Sequence, residues 1–516
     1  MGQITYRGNL ASATWPLLAY RFGRTVMISG NDQNFVRQTY SPEDPDKDIG
    51  VPQVYYLHNV MPTPYGYGSI GYEKQSLSAS TAPGLDDVHL VYSLSGDKAY
   101  ICMSPSGLAV FDLTTRRFTL SLVLAPAYIG AAITTAIVNG VCYVYVAGLS
   151  CYTYDAGAFT PVTLSGLTAS DILGICAANG YLIAYSADTV VWSSTIDPTD
   201  FVPSLITGAG GGSVQNVKGN IVTVVPTNTG LAICSQTNIV CTIYTGNARY
   251  PYQFVEVTGS GGLSSAELFA YDTNSGNNFA YTSFGMQIIT SNRAQLVFPD
   301  VTDFLAGQAF EDFDELTKTF TVTELFAAMS KKLVLISARY LVISYGKTTL
   351  THALVYDLAS RRWGKLKIDH TDCFEYELLD QTTSDRPKKS IGFLTDAGDI
   401  YTVNFDQEST LRNGVILLGK FQYVRQRNMS MEKLVIETQT PTAPMTAYVY
   451  NSLDGKTLGS PIVLAYSYAG QYSKEWPVHK IGLNQSFLFT GAFNLTSIIL
   501  SFFPAGINRG VSLASA

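Results

Sequence analysis

Charge is scarce in this chain: Asp, Glu, Lys and Arg make up 14% of its 516 residues, against roughly 25% in an ordinary soluble domain. The balance is acidic, with a net charge of −7, which argues against tight binding to a phosphate backbone. It leaves room for nucleic acid to pass close by, because an acidic wall repels a duplex rather than holding it. Histidine is sparse too. His58, His89, His352, His370 and His479 are scattered, with no HxH or HxxxH pair to build a zinc site. Seven cysteines occur without one CxxC pair, and Cys102, Cys142, Cys176 and Cys234 lie in apolar stretches. Such cysteines read as buried free thiols rather than a disulfide framework. A clean membrane-length run is also missing: Thr119 to Asn139 is uncharged, but Pro126, Gly130 and several Thr and Ser interrupt it. Two strands flanking an Ala/Gly loop are predicted there. Residues Met1 to Arg7 are polar and no basic-then-apolar block follows, so no signal peptide is expected. Tyr6 stands where a myristoylation site wants Ser or Thr.

Patterns that carry chemistry fail in turn. Gly346-Lys347-Thr348 and Gly455-Lys456-Thr457 resemble the end of a phosphate-binding loop, but Leu341 and Tyr450 replace the upstream Gly. Both read as turns. Asp44, Asp46 and Asp48 have the spacing of a calcium loop, yet Ile49 and Tyr55 occupy the Gly and Glu positions. That stretch reads as a solvated acidic loop. His370 with Asp369 and Asp372 looks like an acid–base cluster, but the pattern places it in a surface turn after a strand. There is no GxSxG elbow and no Ser-x-Asp-x-Gly-x-Thr-Trp box of sialidase-type propellers. Paired carboxylates for glycoside cleavage need not be adjacent in sequence, and nothing here selects a pair. No catalytic, cofactor-binding or metal-binding residue is assigned, and the chain reads as a non-enzyme.

What is abundant is aromatic and turn-forming: 33 Tyr, 25 Phe and 44 Gly, suited to many short strands joined by tight turns. One phrase recurs. Leu108-Ala-Val-Phe-Asp-Leu-Thr-Thr-Arg-Arg-Phe118 returns as Ala353-Leu-Val-Tyr-Asp-Leu-Ala-Ser-Arg-Arg-Trp363, with weaker versions at 150–159 and 189–201. An apolar strand ends in an aromatic and Asp, a polar turn follows, and a second aromatic opens the next strand. The recurrence assigns the Arg116-Arg117 and Arg361-Arg362 pairs to the turn rather than to nucleic-acid contact. Self-similarity at roughly 40–50 residues points to a β-propeller.

From 91 to 406 the predicted strands fall into six groups of four, followed by a hairpin at Lys389–Leu394 and Asp399–Phe405. The third group ends with the stretch near Phe201, and Thr207-Gly-Ala-Gly-Gly-Gly-Ser213 reads as a flexible loop behind it. Six or seven four-stranded blades are expected, the last completed by a strand from the N-terminal region so that no sheet edge stays free. Residues 1–90 lack the repeat and read as an extended arm packing on the propeller or a neighbour. Residues 407–516 alternate apolar and polar positions over seven short strands, the pattern of a C-terminal β-sandwich domain. The array is broken by an insertion at 300–331, in which Asp303, Glu311, Asp312, Asp314 and Glu315 surround Phe304, Phe310 and Phe313. Long insertions in a compact repeat bind or gate something, so these eight residues are the candidate gating or contact loop. A short helix is expected within Leu316 to Met329.

The chain resembles the tail nozzle and packaged-DNA-stabilisation proteins of short-tailed bacteriophages. The residues carrying this are Gln3-Ile-Thr-Tyr-Arg-Gly8, Tyr55-Tyr-Leu-His-Asn-Val60 leading to Pro64 and Gly66-Tyr-Gly-Ser-Ile-Gly-Tyr72, and Val191-Trp-Ser-Ser194 followed by Asp197-Pro-Thr-Asp-Phe201. The resemblance implies a structural virion protein, made in the host cytoplasm, that assembles as a homo-oligomeric ring, typically hexameric. It implies tail adaptor proteins above the ring and fibre or needle proteins below. DNA would traverse the channel without sequence-specific binding, and the tip would contact the host outer surface. It carries no catalytic residues and no cofactor. The competing reading is a carbohydrate-binding or carbohydrate-cleaving propeller of a phage fibre or cell surface, which calls for a carboxylate cluster at the propeller centre.

Overall fold

Runs such as Tyr181–Tyr185 and Leu231–Ser235 are buried at every position. A strand covered on both faces needs a sheet neighbour on each side and another sheet above and below. The computed structural model meets that need repeatedly. It describes residues 4–9, 54–63, 66–76, 84–92, 98–247, 250–271, 276, 278–306, 311–314, 319–322, 330–378, 388–404, 414–421, 429–438, 445–452, 462–466, 473–482 and 484–504. The fold is all-β, built of four-stranded antiparallel sheets whose strands follow one another in sequence.

The first sheet comprises Asp86–Tyr92, Lys98–Ser104, Gly107–Asp112 and Arg117–Val123. The second comprises Ile133–Val138, Val141–Val146, Ser150–Asp155 and Ala158–Val162. Gly174–Ala178, Tyr181–Tyr185, Thr189–Trp192 and Gly210–Ser213 make the third. Ile221–Pro226, Leu231–Ser235, Ile239–Tyr244 and Tyr252–Glu256 make the fourth. The fifth is Phe269–Tyr271, Asn278–Thr282, Gly285–Ile289 and Ala294–Leu296. The sixth is Ser330–Ile336, Tyr340–Gly346, Leu350–Asp357 and Arg362–His370. The seventh takes Asp372–Leu378, Lys388–Leu394 and Ile400–Asn404, and its fourth strand is Gly71–Lys74 from the other end of the chain. The hairpin expected at 389–405 is therefore the middle of a full sheet, completed from the N-terminal side.

Neighbouring sheets share apolar clusters. Tyr143 and Tyr145 of the second meet Ile175 and Leu182 of the third. Ile183 and Tyr185 of the third meet Ile233 and Val240 of the fourth. Phe111 and Tyr100 of the first meet Phe374, Tyr376 and Leu394 of the seventh. Each Leu, Ile or Phe so buried contributes about 1.5–3 kcal/mol, which is why the stacking outweighs the entropy of ordering many short strands. Tight turns are read from sequence where Asn-Gly occurs: Asn139-Gly140 and Asn179-Gly180 both take left-handed φ, as two-residue hairpins require. The uncharged run from Thr119 resolves into the end of one strand, a 3₁₀ turn at Pro126–Tyr128 and the next strand.

The termini interlock. The sixth sheet continues through Val60–Thr63 and Gly66–Ser69 into Asn494–Pro504, Met429–Thr438 and Ser473–Gly482, while Ile4–Asn9 pairs with Asn494–Pro504. A second sheet runs Val54–His58, Gly414–Phe421, Asn484–Gly491, Met445–Ser452, Ile462–Tyr466. Leu434, Ile436 and Trp476 of one and Val449, Phe487 and Phe489 of the other belong to one core cluster.

One expectation is corrected. The fourth strand of the third sheet is not near Phe201; the glycine stretch itself forms it, pairing Gly210–Ser213 with Trp192–Thr189. Glycine is required there: Gly211 has φ +134, and a Cβ on it would lie 2.4 Å from the Val190 carbonyl oxygen. In the 300–331 insertion the described residues form a helix at Pro299–Leu305 and a strand at Glu311–Asp314 paired with Thr319–Val322; the rest of Leu316 to Met329, where a short helix is expected, lies outside the described residues. Gly211→Ala is expected to destabilise the protein by about 1–3 kcal/mol. The loss should appear in denaturant unfolding together with faster amide exchange across 189–213, and unchanged stability would refute the close-approach account.

Candidate functional site

The recurring phrase turns out to be turn chemistry. In the first sheet Asp112 Oδ1 accepts hydrogen bonds from the Thr114 and Thr115 amides at 2.7 and 3.2 Å, and the Arg116 amide donates to the Asp112 carbonyl at 2.7 Å. In the sixth, Asp357 is fully buried, accepts from the Ala359 amide at 3.1 Å, and takes a two-pronged bond from Arg339 at 3.0 and 3.2 Å. Arg116 and Arg361 both hold left-handed φ at the same turn position. The aromatics clamp the turn, Phe111 on Phe118 at 4.8 Å and Tyr356 on Trp363 at 4.7 Å. Arg362 is buried, donates to the Thr63 carbonyl at 3.0 Å and lies over the Tyr67 ring, so it serves the N-terminal strands.

Of the candidate loop residues, Asp303 and Phe304 lie on the helix Pro299–Leu305, and Glu311, Asp312, Phe313 and Asp314 form the strand paired with Thr319–Val322. Phe310 and Glu315 lie outside the described residues, as do Asp44, Asp46, Asp48 and Gly455-Lys456-Thr457. Gly346-Lys347-Thr348 is the turn between two strands of the sixth sheet. All seven cysteines are buried and unpaired, and burial pushes the thiols up, Cys142 to about 11 and Cys176 to about 12. They are inert as nucleophiles at neutral pH.

A charged cluster does exist, and the sequence hid it. The first strands of the first, sixth and seventh sheets bring Asp86, Asp87, Lys332 and Asp372 together, and the turn before the fifth adds Glu267. Asp372, expected in a surface turn, is fully buried as the first residue of its strand. Its Oδ2 accepts the Val88 amide of the first sheet at 2.6 Å, its Oδ1 accepts the Cys373 amide at 2.6 Å, and Lys332 pairs with it. Asp87 reaches the other way: its Oδ2 accepts the Ile133 amide of the second sheet at 2.7 Å and its Oδ1 meets His89 Nε2 at 2.8 Å. Glu267 lies 3.8 Å from the Lys332 Nζ.

Their protonation follows. Burial opposes the charge of Asp87, but His89, Lys332 and the Ile133 amide outweigh it and hold the carboxyl below its ordinary value. Burial likewise opposes the Lys332 charge, and Asp372, Glu267 and Asp87 more than reverse this, so Lys332 stays an ammonium ion. Asp86 and Glu267 are raised, first by desolvation, with the Asp372 charge adding to it. Among the described residues no group of His, Cys, Asp and Glu is arranged to hold a metal ion.

His370 is also buried rather than exposed. Its Nδ1 contacts the Ile368 carbonyl at 2.7 Å, so Nδ1 carries the proton, and Nε2 accepts from Ser344 Oγ at 3.0 Å. The ring packs edge-on against Phe393. Desolvation lowers its pKa from 6.5 to about 4, so the ring stays neutral in the fold.

No family model matches the chain, and no curated protein matches it. Among solved structures it is similar to the extracellular domain of a hybrid two-component system from B. thetaiotaomicron, at 11% identity and a TM-score of 0.38, over 66% of this chain and 40% of that one. It is also similar to a chain of a mitotic checkpoint complex, at 10% identity and a TM-score of 0.38, over 65% of this chain and 94% of that one. The chain thus spans about two fifths of the length of the bacterial domain. Both likenesses are too loose to bear on function.

Because the unfolded chain protonates His370 near pH 6.5 and the folded chain only near 4, stability is full above pH 6.5 and is lost as pH falls towards 4. The loss attributable to this ring is about 3 kcal/mol. His370→Gln should flatten the urea-unfolding midpoint between pH 7 and pH 4.5; an unaltered slope would refute the assignment.

Proposed function

We propose that the seven four-stranded sheets are the blades of a β-propeller and that the chain is a non-enzymatic structural component. Within that class we propose the ring-forming nozzle of a short-tailed phage, closing the DNA channel to retain the packaged genome and opening for ejection at the host. The C-terminal strands act as a β-sandwich joined to the propeller, and the partners are copies of the same chain in a ring, with adaptor proteins on one side and fibre or needle proteins on the other.

The observation that carries the structural reading is the interlocking of the two ends of the chain. Residues 54–74 contribute one strand to the second C-terminal sheet, two to the bridge between the sixth sheet and Asn494–Pro504, and one to the seventh sheet. Such stitching suits a component that transmits force between its parts. Sparse charge and an acidic balance suit a body that packs against copies of itself and lets DNA slide past.

The carboxylate cluster favours a second reading, a carbohydrate-cleaving propeller, since Asp86 and Glu267 are raised in the manner of a general acid. Against it, Asp87 and Asp372, the two carboxylates the cluster holds charged, spend their oxygens on backbone amides, His89 and Lys332, so neither is free to act as base or nucleophile opposite a raised acid.

Purified protein is expected to form a ring of several copies, seen by negative-stain imaging with mass measurement; a lone monomer sinks the nozzle reading. Asp86→Asn and Glu267→Gln should leave a glycan-hydrolysis screen as blank as the parent, and turnover by the parent that these changes abolish would move the choice to the second reading. Within the nozzle reading, the insertion bearing Asp303, Phe304 and Glu311–Asp314 is the gate. Deleting 300–316 should raise DNA leakage from particles several-fold, and intact retention and infection would remove that role.

A further inference from the structure

We propose that the junction between the seventh and first sheets is a charge-strained seam with Lys332 as its keystone, and that the array opens there first. The proposal concerns the fold and does not depend on the phage reading.

Other junctions are closed by apolar side chains: the second meets the third, and the third the fourth, through clusters built from Tyr, Ile, Leu and Val. The seventh and first sheets share such a cluster too, around Tyr100 and Phe374 at 5.1 Å. Polar links cross the second–third and third–fourth junctions as well, from the Ile175 amide to Thr134 Oγ1 at 2.8 Å and from Tyr252 Oη to the Ala178 carbonyl at 3.1 Å; at the seventh–first junction the links include charged side chains. Tyr100 Oη donates to the Glu375 carbonyl at 3.0 Å and accepts the Glu377 amide at 2.8 Å, and Lys98 pairs with Glu377. At the inner end lie Asp86, Asp87 and His89 from the first sheet and Asp372 from the seventh. Lys332 stands on the sixth and Glu267 before the fifth, and Asp369 and His370 lead into Asp372. Lys331 turns away, to the Tyr281 ring at 4.9 Å. From the second sheet the Ile133 amide reaches in.

Four carboxylates thus face one ammonium ion and one imidazole. Asp87 and Asp372 are well compensated by amides, Lys332 and His89. Asp86 and Glu267, both exposed, are less so: among the described residues Asp86 accepts the amide of Asp87 beside it, at 2.9 Å, and Glu267 has Lys332 at 3.8 Å, a cation already committed to Asp372. The Asp372 charge repels both, so the seam carries an outward push, weakened by water at the two exposed carboxylates, that the Lys332 ammonium opposes. Two amides report its state, because Val88 and Ile133 are bonded to Asp372 and Asp87 across sheet boundaries.

The sign of the effect separates this from an ordinary structural role. Asp86→Asn with Glu267→Gln should raise Tm and slow amide exchange of peptides covering 86–92 and 131–136 several-fold. Lys332→Met should speed exchange in those peptides at least tenfold while peptides covering 181–185 and 231–235 keep their rates, and adding the Asn/Gln pair should recover part of that loss. A double variant with Tm at or below the parent's overturns the seam, as does Lys332→Met exchange that rises evenly across all sheets. Should Lys332→Met fail to fold, the double variant decides alone.

Discussion

Everything in this molecule depends on sheets that are apolar on both faces. A four-stranded sheet with one exposed apolar face is not stable by itself, and each sheet here has two. It must be stacked on both sides, and the chain meets the demand by laying one sheet after another, so that every cluster is shared. The first and seventh sheets, which would otherwise end the row, share a cluster of their own. The seventh sheet then inherits a second problem, an open edge along Ile400–Asn404, which Gly71–Lys74 fills. That one pairing draws the preceding residues across the molecule, and the interlock with the C-terminal strands follows from it.

The parts legible in the sequence are those whose physics is local. Asn-Gly fixes a two-residue hairpin wherever it occurs, and an unbroken apolar run such as Leu-Ala-Ile-Cys fixes a central strand. The parts that were not legible depend on partners far along the chain. Asp372–Leu378 begins two residues after the sixth sheet ends and carries Asp and two Glu, so composition places it at the surface. What buries it is the arrival of Lys332, Lys98 and the Val88 amide, none of them near in sequence. Gly210–Ser213 misleads for the opposite reason: glycine signals freedom locally, while here its lack of a Cβ lets the strand approach Val190 and Val191.

The charged cluster shows the same limit. Its carboxylates are spread from 86 to 372, and no spacing rule connects them. His370, Asp369 and Asp372 attract notice because they are adjacent, yet the ring and Asp372 face different partners: His370 bonds Ser344 and the Ile368 carbonyl, and Asp372 bonds Val88 and Lys332. Adjacency in sequence is weak grounds for an acid–base pair when a strand boundary falls between its members, because alternation sends neighbouring side chains to opposite faces.

In a protein whose charged residues are so few, five of them gather where the fifth, sixth, seventh and first sheets meet, with Asp372 buried and Asp86 and Glu267 exposed. Asp87 and Asp372 have an evident purpose, since each ties its sheet to a neighbour through a backbone amide. Asp86 bonds the amide beside it and Glu267 reaches Lys332 at 3.8 Å, while both are repelled by Asp372, which does tie two sheets. Apolar or amide side chains at those two positions would make the junction firmer at no loss of packing. Their presence marks the seventh–first junction as the place where firmness is reduced by design of the charge pattern. An array held elsewhere by apolar clusters would therefore open at one defined seam rather than fray evenly.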